Sequence, residues 1–211
     1  MFYNLHTHTS TKNTEVVELI NQYPNQITTN TGYNSIGIHP WHSNTNLLVE
    51  ELEIIEAKIQ ENSFIAVGEC GLDKRIEIPL SLQKSVFIEQ IKIAEKFQKP
   101  LILHCVAAYQ EVIEIKKDLN IKVPIIIHGF SKNYQVAKSL IDHGFYLSFG
   151  KYLLRNPDLS TVFKQMPQNR IFLETDMIEE SIELVYQKAQ SIVDYDIKEV
   201  VANNFKYVFN M

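Results

Sequence analysis

The sequence predicts an α/β fold, a (β/α)8 barrel of the TIM type, on three observations. Eight short apolar runs, most of them rich in Ile and Val, recur along the chain, as buried parallel strands do. Amphipathic stretches with helical spacing lie between most of them, and such alternation means β/α units on a parallel sheet. Histidines and carboxylates follow the runs, at the strand ends where barrels of this kind carry active sites. With 211 residues the chain is near the short end of the fold. It is expected to form one domain over residues 1–211, burying roughly 70% of the unfolded chain's surface.

The strands are read at Phe2–Leu5, Val16–Ile20, Tyr33–Ile38, Phe64–Val67, Leu101–Leu103, Val123–Ile127, Phe145–Phe149 and Ile171–Leu173. Leu48, Leu52, Ile55 and Ile59 repeat at helical spacing, and Leu82, Val86, Ile93 and Phe97 follow Pro79, a favourable first-turn residue. Val112, Ile115 and Leu119 mark another helix, as do Ile182, Val185, Ala189 and Ile192, and Asp196 to Val208 form a closing one. The early chain breaks the rhythm. A parallel crossover needs about a dozen residues or more, usually as a helix. Thr9–Thr14 and Asn21–Gly32 are too short or too polar for two full helices. The barrel is therefore expected to be truncated or distorted, with its first one or two outer helices reduced to loops.

Composition removes several classes. Twenty Lys and Arg against 25 Asp and Glu give a net charge of −5, which argues against a protein that coats nucleic acid through a basic face. An enzyme meeting nucleic acid through metal ions is still allowed. The sequence has no run of about 18 apolar residues, the length that spans a membrane, and Met-Phe-Tyr-Asn-Leu-His, without a basic n-region or long apolar h-region, is not expected to be a secretory signal. Cys70 and Cys105 alone make no disulfide framework. The expectation is a cytoplasmic monomer with no obligate protein partner.

The chemistry is read from where the metal-capable side chains fall. His6 and His8 follow the first apolar run, His39 the third, Glu69 the fourth, His104 the fifth, His128 the sixth, and Glu174 and Asp176 the eighth. His6 and His8 share one side of a strand by their spacing. Imidazoles with carboxylates suit Zn²⁺, Mn²⁺, Fe²⁺ or Ni²⁺, and carboxylate-rich sites also take Mg²⁺. Four histidines and two carboxylates exceed the needs of one tetrahedral ion. Two ions about 3.5–4 Å apart with a shared carboxylate would use them all, and Glu69 is the candidate bridge. Cys70 and Cys105 each follow a candidate ligand by one position and so face away from it. His143, beside Gly144, reads as a helix-end residue.

These residues form a pattern: His6-Thr7-His8, Gly37-Ile38-His39-Pro40, Gly68-Glu69-Cys70-Gly71-Leu72-Asp73, Gln83 with Phe87, Gln90 and Ala94, Leu103-His104-Cys105, His128-Gly129-Phe130, Ser148-Phe149-Gly150, Leu173-Glu174-Thr175-Asp176 and Asn203-Asn204-Phe205. In this order they resemble the TatD family of metal-dependent hydrolases, within the amidohydrolase-like barrel superfamily. The resemblance implies one divalent ion held by His6, His8, Glu69 and Asp176 and a second held by Glu69, His104 and His128. It implies phosphodiester hydrolysis, often exonuclease action on DNA, with Zn, Mg or Mn as the metal. Asp176 is expected to act as general base with Glu69 as the second catalytic carboxylate, and His39 and His42 to contact substrate. The chain departs from the family pattern at Val106, where an Arg is usual. It departs again after Asp176, where Met177-Ile178-Glu179-Glu180 is read as running straight into a helix. That acidic stretch would repel a polyanion. Alternative readings are a small amide, lactone or phosphoester as substrate, or an inactive metal-binding scaffold.

Overall fold

The computed structural model describes residues 1–28 and 32–211. Among these residues lie eight strands: β1 (Phe2–Thr7), β2 (Val16–Gln22), β3 (Tyr33–Ile36), β4 (Phe64–Asp73), β5 (Leu101–Val106), β6 (Ile125–Ile127), β7 (Tyr146–Phe149) and β8 (Ile171–Leu173). Eight α-helices accompany them: α1 (Leu48–Lys58), α2 (Leu80–Phe97), α3 (Tyr109–Asp118), α4 (Tyr134–Asp142), α5 (Lys151–Arg155), α6 (Pro157–Lys164), α7 (Ile182–Gln190) and α8 (Ile197–Phe209). Strand order follows chain order.

The chain divides into two compact units, residues 1–20 with 127–211, and residues 21–126. In the first unit β1 pairs with β2 and β7 with β8, both in parallel. β8 meets β1 through a parallel bridge between Thr7 and Asp176, so the first and last strands are neighbours. Asn4 and Thr175 clamp that seam reciprocally: the Asn4 amide donates to the Thr175 hydroxyl at 2.8 Å, and the Thr175 amide N–H donates to Asn4 Oδ1 at 3.0 Å. The unit's core is aromatic. Tyr3 and Phe172 each face Phe205, with ring centroids 5.0 and 6.4 Å apart, and Phe149 lies edge-on to Phe130 and Phe163. In the second unit β3, β4 and β5 form a parallel ladder over a largely aliphatic core that includes Ile36, Ile55, Ile59, Val67, Leu101 and Leu103.

All eight strand readings correspond to strands, but β4 runs to Asp73, six residues past the expected end at Val67. Glu69 therefore lies inside a strand and not beyond one. Residues 8–15 and the described part of 23–32 hold no helix, which is the reduction the sequence predicts; residues 29–31 of that second stretch lie outside the described residues. Three helices were not among those read from the sequence, α4, α5 and α6; only His143 as a helix-end residue pointed to α4. Asn156 caps α6 by accepting the Asp158 N–H, Pro157 opens it, and it buries Leu159, Val162 and Phe163. Pro79 is the N-cap of α2 and not a residue of its first turn. A loop over residues 177–181 separates Asp176 from α7, correcting the reading of a direct run into the helix. No helix among the described residues is long and apolar enough to cross a membrane.

Candidate metal centre

In the first unit, β1 carries His6, and His8 follows at its end. The backbone of Asp176 is tied beside them by its N–H, which donates to the His6 carbonyl at 2.9 Å. Asp176 is held at φ 56°, the left-handed region that a non-glycine residue occupies at a cost. Asp176 Oδ1 then stands 3.5 Å from His8 Nε2 and 3.8 Å from His6 Nε2. His128 stacks against His6 with ring centroids 4.4 Å apart. Its Nδ1 lies 3.4 Å from Oε1 of Glu174, and that oxygen also accepts the Gly129 N–H at 2.6 Å. Gly150 gives β8 room here, since a Cβ at that position would sit 2.5 Å from the Glu174 carbonyl oxygen.

In the second unit, β4 presents Glu69, Gly71 and Asp73 at every second position, which places them on one side of the strand. β5 crosses opposite with His104 paired to Gly71. A Cβ on Gly71 would lie 2.2 Å from the His104 carbonyl oxygen, so only glycine lets the strands meet. Glu69 Oε1 is 3.0 Å from His104 Nδ1 and 3.2 Å from His39 Nε2. The other nitrogen of His104 is 3.3 Å from Asp73 Oδ2. Asp73 Oδ2 also accepts the Trp41 indole N–H at 2.9 Å. Burial pushes the Asp73 carboxyl up, but hydrogen bonds from the Trp41 indole, the Arg75 backbone N–H and His104 outweigh it and hold the group below its ordinary value.

Buried amides fix this set from behind. The Glu69 N–H donates to Asn21 Oδ1 at 2.7 Å. Gln83 on α2 accepts the Asp73 N–H at 2.8 Å and returns a bond to the Asp73 carbonyl at 3.0 Å. Gln90, one turn pair further on, does the same for Ile38, at 2.7 and 3.1 Å, immediately before His39.

Each unit thus brings two imidazoles and one carboxylate together: His6, His8 and Asp176 in one, and His39, Glu69 and His104 in the other, with ligand atoms within 4.8 Å of one another. Donors about 2.0–2.2 Å from one tetrahedral ion are spaced about 3.3–3.6 Å apart. The measured separations of 3.0–3.8 Å bracket that value, so the residues present fit a divalent ion. A carboxylate on the far nitrogen of His104 is the usual way a ligating imidazole is oriented.

His39, read from sequence as a substrate contact, is buried and sits inside the second donor set. His42 is exposed, beside the Tyr23 ring at 5.7 Å. His143 caps α4, its Nδ1 2.7 Å from the Ser139 carbonyl. Cys70 and Cys105 are buried. Burial pushes both thiols up, Cys105 to about 12, so both remain protonated. Asp73 and Asn21 received no role from sequence. The alternation Glu69, Gly71, Asp73 was the available signal for Asp73; nothing local marked Asn21.

Residues 2–210 match the family model described as TatD related DNase. An uncharacterized metal-dependent hydrolase of Buchnera aphidicola is 33% identical over 156 residues, covering 70% of this chain and 59% of that protein. The 3'-5' ssDNA/RNA exonuclease TatD of Cronobacter sakazakii is 28% identical over 150 residues, covering 68% of this chain and 56% of that one. The chain therefore spans less than two thirds of the length of these relatives. Among solved structures, YjjV, a TatD homologue of Escherichia coli, superposes with a TM-score of 0.85 at 19% identity, over 100% of this chain and 98% of that one. That likeness shows the fold to be the predicted (β/α)8 barrel. By the span and identity of these matches, the chain belongs to the TatD family.

Proposed function

We propose that residues 1–211 act as one divalent-metal-dependent hydrolase that cleaves phosphodiester bonds. The observation that carries this reading is the paired supply of two imidazoles and a carboxylate in each unit. His6, His8 and Asp176 would hold one ion, and Glu69 and His104, with His39 beside them, a second; His128 and the bridging role of Glu69 are carried over from the sequence expectation. A bound divalent ion supplies Lewis-acid polarisation of a phosphoryl oxygen and lowers the pKa of water to about 7. Asp176 keeps 35% of its side chain exposed and is positioned to take a proton from water, as general base. The imidazole of His104 lies between Glu69 and Asp73; with its Nε2–H given to Asp73, Nδ1 on the Glu69 side would be left to hold an ion. His42, exposed next to His39 at a ring distance of 6.1 Å, is the substrate contact in this reading. The reaction consumes one water: its oxygen bonds phosphorus, the P–O bond to the leaving alcohol breaks, and the alcohol departs with the proton.

Metal content of the purified protein, measured with turnover of bis(p-nitrophenyl) phosphate in added Mn²⁺, Mg²⁺ or Zn²⁺, tests this. Bound metal with turnover is expected. Metal binding without turnover on any ester or amide would leave a binding scaffold and overturn the hydrolase reading.

A further inference from the structure

His8 and Asp176 open onto a cavity of about 610 Å³, inside the range of about 300–1,000 Å³ that holds one small molecule. One wall is the β1–β2 loop, with Thr9, Ser10 and Thr11; another is the loop after Asp176 and the start of α7, with Glu179, Glu180 and Glu183.

The first wall is built, although no helix supports it. Glu18 on β2 is buried and gathers the loop. It accepts the Ser10 hydroxyl at 2.8 Å, the Thr11 hydroxyl at 2.8 Å, and the Thr11 N–H at 3.1 Å on both oxygens. Asn13 Nδ2 then donates to Glu183 Oε1 at 3.3 Å, joining the loop to α7. A chain segment too short for a helix thus becomes a fixed wall, its Ser10 and Thr11 hydroxyls donating to Glu18 and accepting the Lys12 and Asn13 N–H groups.

The charge of the lining is one-sided. Asp176, Glu179, Glu180 and Glu183 contribute carboxylates; among the described residues the lining holds no Lys or Arg, and the one cation of the loop wall, Lys12, stands exposed between Thr11 and Asn13 outside the lining. Arg155, which lines the adjoining cleft beyond Glu180, is engaged: its Nη2 donates to Glu180 Oε1 at 2.8 Å. Lys151 in the same cleft lies over the Tyr152 ring at 5.8 Å. A nucleic-acid chain is held mainly by cations along its phosphates, and this approach offers the opposite sign. Carboxylates and hydroxyls do suit the hydroxyl groups of a sugar, as an acidic side chain does for a ribose in dinucleotide sites.

We propose that this cavity takes the uncharged, hydroxyl-bearing part of a small phosphodiester, a nucleoside or sugar attached to the one scissile phosphate, and turns away nucleic-acid chains. The proposal rests on the hydrolytic reading above. Two measurements keep the failures apart. Calorimetric titration of the protein with thymidine and with a ten-residue oligothymidylate, in EDTA at low salt, reads the cavity alone. Turnover of thymidine 5'-(p-nitrophenyl) phosphate against the same oligomer in Mn²⁺ reads the loaded enzyme. Saturable thymidine binding is expected, with oligomer binding weaker and kcat/KM at least about tenfold higher for the small ester. In the Glu179→Gln/Glu180→Gln double variant, which also frees Arg155, oligomer binding should strengthen about tenfold at low salt and fall back as salt rises. Oligomer bound or cleaved better than the small probes by the wild type overturns the proposal, as does a double variant with an unchanged preference. Thymidine binding without turnover of any ester defeats the hydrolytic reading and leaves the cavity assignment standing; turnover of the ester without thymidine binding defeats the cavity.

Discussion

His39, Glu69 and His104 keep 6%, 4% and 14% of their side chains exposed, whereas His8 and Asp176 keep 19% and 35%. The two donor sets offer the same atoms in different surroundings. The second unit's set is held by backbone clamps from Asn21, Gln83 and Gln90 and by the Asp73–Trp41 bond. The first unit's set is held by the strand seam at Thr7 and Asp176 and faces a cavity. Fixed acceptors cost no reorganisation when charge arrives, and an exposed carboxylate can exchange protons with water. On the proposed reading, one region would position donors and the other would carry proton traffic.

The largest effect expected from breaking this contrast is at the carboxylates themselves. Glu69→Gln should lower kcat by about 10³-fold, the several kcal/mol that metal-assisted charge stabilisation supplies, and should cut the bound metal measured by mass spectrometry. Unchanged metal and unchanged activity would remove Glu69 from the site. Asp176→Asn should lower kcat by about 10²–10⁴-fold as the loss of a general base does, with the acid limb of the pH–rate profile altered.

Asp73→Asn sharpens the comparison, because it alters the group behind His104, which also accepts the Trp41 indole N–H. A loss of about 10–100-fold in metal affinity or activity is expected, as for other carboxylates that orient a ligating imidazole, with Zn²⁺ titration as the measure. An equal loss from Trp41→Phe would show that the indole and the carboxylate set His104 as one unit, since the indole N–H is held by the same Asp73 oxygen.

Glu18→Ala tests whether the open region depends on its loop. Removing a buried charged acceptor should cost about 1–3 kcal/mol in urea unfolding, while the second unit's donor set stays intact. The smallest effect concerns pH. Cys105 is raised from near 9 to about 12, so the unfolded chain gives up its proton first as pH rises. Its contribution is present below about pH 9 and is lost between about 9 and 12, at about 1.4 kcal/mol per pH unit. Stability measured at pH 8 and 10 should fall, and less so in Cys105→Ala.

Much of this was legible without coordinates. Eight strands were read correctly because a strand buried on both faces is a continuous apolar run. That the described residues between β1 and β3 hold no helix followed from arithmetic on connection length. The helices α5 and α6 were not, because α5 spans five residues and α6 eight, too few turns for a periodic signal. The metal-capable residues were legible because His, Asp and Glu after apolar runs are rare enough to stand out.

The sequence by itself determined the strand and helix periods, the supply of imidazoles and carboxylates, and the absence of a helix's worth of chain before β2. Only the tertiary structure decided that Asp73 backs His104, that His39 turns inward beside Glu69, and that Glu18 ties down a hydroxyl wall next to Asp176. Periodicity is a property of neighbours along the chain. Partners such as Thr7 and Asp176, 169 residues apart, meet only when strands close on one another, and no local pattern records that meeting.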